Sequence, residues 1–279
     1  MGECQNVAIV TGGTRGIGGG VAHHLASAHY DLILGYNTNT EAAEETKKHL
    51  QEEHGVKVRL VQGDVALPET VNKLFACFEK EFSGQHLTAL VHNAGLYVGL
   101  TTPPASDEAT KASASTQRIL GDGTFDDFSK FDYYQQVYPK CFVRLVEGGM
   151  KHMHAGGSIV TVSSPGCNAN QTPKLTYMLP GQAKASLEYL VRHYALLLAP
   201  KHITVNVVVP GFTRTGAWEK LSEGKGGMVA MDKFMEGKCP MKKWMNGKDV
   251  GGVVKFLCSP DAAFVTGCCL PVDGGLHLV

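Results

Sequence analysis

The sequence predicts a single α/β domain, a doubly wound parallel β-sheet with helices on both faces. Three observations predict it. Short apolar runs alternate with longer stretches of helical periodicity, the rhythm of repeated βαβ units. The runs are continuously apolar, as strands covered on both faces require. The first run, residues 6–10, passes directly into the glycine-rich turn Thr11-Gly-Gly-Thr-Arg-Gly-Ile-Gly18 and then into a helix.

In chain order, a helix is expected over 21–28 and a second strand over 30–35. A charged helix follows over 40–54, with Thr40 as its N-cap. A third strand over 56–62 and a helix over 71–82 lead to a fourth strand over 87–92, which ends in Asn93-Ala-Gly95. Residues 96–128 break the rhythm. They are rich in Thr, Ser, Ala, Asp and Gly, with Pro103-Pro104 and Gly121-Asp-Gly123, and read as a surface insertion. Helix resumes over 131–153, a fifth strand over 157–164 and a sixth over 203–209. Between them, Leu187, Leu190, Val191, Tyr194, Leu197 and Leu198 recur at helical spacing. That helix is expected to begin near Pro180, a residue tolerated in a first turn. Residues 211–247 commit to no period. A helix over 248–259 and a strand over 268–272 close the chain before Asp273-Gly-Gly275. With no internal repeat and no linker, residues 1–279 read as one domain.

Composition narrows the function. The chain of 279 residues is 43% hydrophobic and 19% charged, with zero formal net charge. A sizeable core is expected and disorder is not. No basic block suggests nucleic acid. No apolar run reaches membrane-spanning length and the N-terminus carries no signal pattern, so a cytoplasmic protein is expected. The eight cysteines form no C-x-x-C pair and read as reduced thiols. The twelve histidines include His23-His24 and the pair His152 and His154. No acidic or cysteine ligand accompanies them at regular spacing, so they read as surface residues and no metal is expected.

Gly12, Gly16 and Gly18 let backbone N–H groups approach a pyrophosphate, and the following helix N-terminus adds partial positive charge. Thr14, Arg15 and Ile17 complete that turn. The second strand ends in Gly35-Tyr-Asn-Thr-Asn39, where Asn37 and Thr38 stand in place of the carboxylate that would select NAD. Arg15 is placed to meet a 2′-phosphate. The expected coenzyme is therefore NADP(H). Asp64-Val65 is placed at an adenine edge and Asn93, Ala94 and Gly95 beside the coenzyme, although each could be an ordinary strand-end turn.

Tyr177 and Lys184 are the candidate proton-handling pair. Lys184 falls in the first turns of its helix and Tyr177 in the incoming loop. Seven residues of continuous helix would hold them about 10 Å apart along the axis, so the loop must bring the phenol back. A nearby ammonium lowers a phenol's pKa and makes it a usable acid. On these residues alone, a core tyrosine and a surface lysine is the simpler reading.

Taken together, the glycine turn, Asp64-Val65, Asn93-Ala-Gly95, Ser158-Ile-Val-Thr-Val-Ser-Ser164, Ala183-Lys-Ala-Ser-Leu187, Val205-Asn-Val-Val-Val-Pro-Gly211 and Val272-Asp-Gly-Gly275 resemble the short-chain dehydrogenase/reductase family over nearly the whole chain. The resemblance implies a Rossmann-type fold, bound NAD(P)(H), and Ser164, a tyrosine and Lys184 at the catalytic centre. It also implies that Pro210, Gly211, Thr213 and Thr215 form the loop at the nicotinamide carboxamide. Two departures stand out. Pro180 occupies the position four before Lys184 where most of the family has tyrosine. The family's helix asparagine should fall near Gln136 or Val137. The spacing Tyr177-x6-Lys184 instead resembles the enoyl-acyl-carrier-protein reductases. That subgroup implies NADPH-dependent reduction of a 2-enoyl thioester, a small-molecule substrate. The alternatives are carbonyl reduction of a ketone, quinone or pterin, and a non-catalytic NADP-binding protein. The resemblance further implies a homodimer or homotetramer paired through helices such as 183–198.

Overall fold

The computed structural model describes residues 6–95, 128–169, 171–173, 177–216 and 227–279. Apart from Phe128, the expected 96–128 insertion lies outside them. Seven parallel strands form one sheet in the order β3-β2-β1-β4-β5-β6-β7. They are β1 (Asn6–Thr11), β2 (Asp31–Tyr36), β3 (Val58–Gln62), β4 (His86–His92), β5 (Ser158–Val162), β6 (Thr204–Pro210) and β7 (Cys269–Val272). Strand order reverses between β1 and β4, which opens a crevice at their C-terminal ends.

Side chains alternate across the pleat. Val7 and Ile9 enter one apolar layer with helices α3 (Pro68–Glu81), α5 (Cys141–Gly149) and α6 (Met178–Leu198). Ala8 and Val10 enter the other with α1 (Gly16–Ala26), α2 (Thr40–His54) and α8 (Gly247–Leu257). The expected doubly wound sheet is what the chain builds. A further helix, α7 (Gly227–Lys238), occupies part of the stretch 211–247, which showed no period.

Three local expectations are corrected. Asn39, not Thr40, caps α2: its side chain accepts from the Ala42 N–H at 3.0 Å. Helix α3 starts one turn earlier than expected because Pro68, which has no N–H to satisfy, is suited to the first turn. The single helix expected over 131–153 is broken into α4 (Ser129–Gln135), a π-helical turn (Gln136–Lys140) and α5. Pro139 cannot donate in an α-helical ladder, and the Cys141 N–H reaches the Gln136 carbonyl five residues back. Helix α6 begins at Met178, near Pro180 as expected. Among the described residues, no helix is long and apolar enough to cross a membrane, and the seven described cysteines are free thiols.

Helices α1 and α8 approach closely because glycines face each other. A Cβ added at Gly20 would lie 2.0 Å from the Gly247 carbonyl carbon, backbone that cannot yield cheaply. Gly20→Ala should therefore cost about 2–3 kcal/mol and lower the melting temperature by roughly 5 °C or more. An unchanged thermal melt would contradict that packing.

Candidate active site

The glycine turn borders a cleft of about 420 Å³ at the reversal of strand order. Gly12, Thr14, Arg15, Gly16, Ile17, Asn37, Thr38, Asp64, Val65, Asn93, Ala94, Gly95 and Thr215, all candidates for holding the coenzyme, line it. Gly18 lies behind the lining and is needed for a different reason. A Cβ there would stand 2.0 Å from the Gly12 carbonyl oxygen, so only glycine lets the helix start against the turn. Arg15 precedes α1 with no side-chain cap bond, and no acidic residue occupies the first turn. The helix N-terminus is thus left to an anion in the cleft.

A network behind the cleft fixes the strand ends. The Thr11 hydroxyl oxygen accepts from the N–H groups of Asn93 and Ala94 at 3.1 and 3.0 Å. Its own proton is left for His92 Nδ1 at 3.1 Å, which puts the imidazole proton on Nε2. His92 is fully buried, and burial, with the Lys184 charge second, pushes its pKa down to about 4. It is a neutral strut at pH 7. The Asn93 amide donates to the Thr11 and Gly12 carbonyls at 3.2 and 3.1 Å, so its side chain braces the turn from within. Thr46 adds a bond from its hydroxyl to the Thr14 carbonyl at 2.8 Å.

The end of β5 and the start of α6 bring the second group together. Ser164 Oγ lies 2.9 Å from the Tyr177 hydroxyl. Tyr177 immediately precedes Met178 at the helix N-terminus. Lys184, expected on the surface by the simpler reading, is instead buried, and its ammonium donates to the Val162 carbonyl at 3.1 Å. Desolvation lowers its pKa to about 8 against the partial compensation of Cys167 and Glu188. Ser163, beside Ser164, donates to the buried Glu188 carboxylate, one turn beyond Lys184.

The sequence missed Tyr138. Its ring lies 4.7 Å from the Lys184 ammonium, and its hydroxyl stands 2.8 Å from where a Cβ on Gly95 would be. Burial first, then the neighbouring Tyr177 phenol, raises its pKa well above the ordinary value of 10. The only signal was an aromatic run over 131–138 inside the helix expected over 131–153. Tyr133 was missed likewise; it lines the cleft and its hydroxyl donates to Asp64 Oδ2 at 3.4 Å. Of the positions where the resemblance placed an asparagine, Gln136 accepts from Arg144 at 2.9 Å and Val137 lines the cleft. Ser164, Tyr177, Lys184, Pro210, Gly211 and Thr213 are not among the residues that line the cleft. Gly211 packs on Asp273, and the buried Thr213 hydroxyl turns back to the Gly211 carbonyl at 3.2 Å.

The chain belongs to the short-chain dehydrogenase/reductase family, an oxidoreductase family: the model described as "Enoyl-(Acyl carrier protein) reductase" matches residues 12–277. It is 30% identical over 276 residues to the hydroxynaphthalene reductase-like protein Arp2 of Metarhizium guizhouense, covering 96% of this chain and 94% of that one. Among solved structures, L-sorbose reductase from Gluconobacter frateurii, complexed with NADPH and L-sorbose, superposes with a TM-score of 0.82 at 25% identity, covering 100% of this chain and 99% of that one. The 3-oxoacyl-[acyl-carrier protein] reductase from Brucella melitensis, in complex with NAD, gives 0.78 at 28% identity, with 99% and 98% covered.

Burial of Lys184 sets a pH test. The unfolded lysine titrates near its ordinary 10.5 and the folded one near 8. Between those values the unfolded chain holds the extra proton, so stability rises with pH, and below pH 8 the burial cost is present in full. Lys184→Met should raise stability at pH 7 by about 2 kcal/mol. The advantage should shrink toward pH 10. Thermal melts at both pH values check this, and a gap that stays constant would contradict it.

Proposed function

We propose that this protein is an NADPH-dependent carbonyl reductase in which Tyr177 is the proton donor, Ser164 the second hydroxyl on the substrate oxygen, and Lys184 the cation that supports them. The observation that carries it is the 2.9 Å approach of Ser164 Oγ to the Tyr177 hydroxyl. Two O–H groups at one point suit a single oxygen that gains negative charge as it is reduced. In a ketone that oxygen is bonded to the carbon that receives the hydride. In an enoyl thioester it lies two carbons further along, and a donor is needed further from the hydride.

The cleft fits NADPH. Its glycine turn and uncapped helix N-terminus suit a pyrophosphate. Asn37, Thr38 and Arg15, with no carboxylate among them, suit a 2′-phosphate. When bound, NADPH supplies the hydride. The chain's part is to hold the substrate oxygen between Ser164 and Tyr177 and to pass it the Tyr177 proton. The buried ammonium of Lys184 favours the phenolate left behind.

A second reading, reduction of a 2-enoyl thioester, rests on the Tyr177-x6-Lys184 spacing and on Tyr138, a second buried phenol near Gly95. L-sorbose reductase and the 3-oxoacyl-[acyl-carrier protein] reductase favour the first, because sorbose and a 3-oxoacyl group each offer a ketone. Tyr189, Leu196 and Leu197 stand exposed on α6, which supports pairing of two or four copies through that helix. The seven described cysteines, all free thiols, support a cytoplasmic setting.

NADPH oxidation with a panel of ketones, 3-oxoacyl thioesters and crotonyl thioester tests the reading. Turnover of a carbonyl substrate is expected, with kcat reduced about 10²–10⁴-fold in Tyr177→Phe and about 10²-fold in Ser164→Ala. Turnover of the enoyl thioester alone would select the second reading, and NADPH binding with no turnover would leave a binding protein. For the coenzyme, Arg15→Ala should raise KM for NADPH about tenfold while leaving KM for NADH nearly unchanged. Equal effects on the two coenzymes would remove Arg15 from the 2′-phosphate.

A further inference from the structure

We propose that His23, Glu53 and His54 form a binding site for one divalent transition ion of the zinc type, between the C-terminal ends of α1 and α2 and away from the coenzyme cleft. Sequence spacing pointed away from a metal because the ligands come from two helices. Folding brings them together: one donor atom from each residue lies within 4.8 Å of the others.

The separations are those an ion would impose. His23 Nδ1 and His54 Nε2 are 3.3 Å apart. Glu53 Oε2 is 3.7 Å from His23 Nδ1, and Glu53 Oε1 is 3.7 Å from His54 Nε2. Nitrogen and oxygen ligands on a tetrahedral zinc, bound at about 2.0–2.1 Å, stand roughly 3.3–3.4 Å from one another. Glu53 presents a different oxygen to each imidazole, so a turn of its partly exposed carboxylate would complete the set. His49 Nε2 already touches Glu53 Oε2 at 2.8 Å and is exposed, so it or a water can take the fourth position. Both imidazole ligands are largely buried, with side-chain exposures of 17% and 13%, which fixes them in place before any ion arrives.

Charge agrees with a cation. His23 lies in the last turn of α1 and His54 in the last turn of α2, so two negative helix ends meet there with a carboxylate. Two imidazoles and a carboxylate suit zinc, and the same set would also accept nickel or copper. Lys248 of α8 is the opposing cation that acts on His23. In the metal-free protein the two facing ring nitrogens share one hydrogen bond, and an ion would replace that shared proton.

The test is zinc binding by untagged, chelator-stripped, full-length protein, read by calorimetry and by metal content after dialysis. One zinc per chain is expected, with micromolar or tighter affinity. Glu53→Gln and His54→Gln should each weaken it at least tenfold. His154→Gln, in the separate His86–His154 ring pair, should leave it unchanged. Zinc at a hundredfold over its dissociation constant should raise the melting temperature by about 5 °C, a rise that Glu53→Gln removes. Glu53 is partly exposed, so that variant reads binding without disturbing the core. Absence of stoichiometric uptake, or uptake that Glu53→Gln and His54→Gln leave intact, would overturn the site.

Discussion

The candidate site depends on one buried cation. The Lys184 ammonium is taken out of water under the C-terminal edge of the sheet, where the Val162 carbonyl accepts from it and the Tyr138 ring lies beneath it. An ammonium is costly to bury, and its pKa is lowered by desolvation despite Cys167 and Glu188. The contact also locks α6 against β5. With the helix locked, its first residues and the residues that follow β5 meet at a defined place, and the Ser164 and Tyr177 hydroxyls fall within hydrogen-bond reach. A buried cation that penalises folding is tolerated where the surrounding layer, here Leu187, Val191 and Leu198 on the same helix, is well buried.

The departure from the usual family spacing has a structural account. Pro180 occupies the place of the usual tyrosine and is itself buried in the first turn of α6. The helix starts two residues before it, at Met178, and Tyr177 stands at its mouth. The phenol is thus delivered from the helix entrance instead of from its first full turn. The π-helical turn at Pro139 packs against α6, with the Tyr138 ring on Lys184. It keeps Val137 and Tyr138 buried beside the strand ends while the Gln136 amide turns to Arg144.

The sheet and the coenzyme cleft were legible in the sequence because both rest on local patterns. Continuous apolar runs marked the strands, and the glycine spacing at 12, 16 and 18 marked the turn that now lines the cleft. Features that depend on which neighbours meet were not legible. Asn39 and Thr40 are adjacent capping residues, and only the folded backbone shows which one reaches the Ala42 N–H. Tyr138 sits in a helix like any core aromatic until its hydroxyl is found beside Gly95. His23 and His54 are separated by a strand and most of a helix, so no spacing rule joins them. The position of Tyr177 was the reverse case. Its neighbour Ser164 was expected, but the loop between them had no periodic pattern to place it.

The most direct measurement of the central claim is a crystal structure with NADPH and an inert ketone analogue bound. The account predicts both the Ser164 and Tyr177 hydroxyls within about 3.2 Å of the analogue's carbonyl oxygen, over the nicotinamide ring, with Lys184 still buried behind them. A complex in which the Tyr177 hydroxyl points to bulk water, and the oxygen is held by other groups, would contradict it.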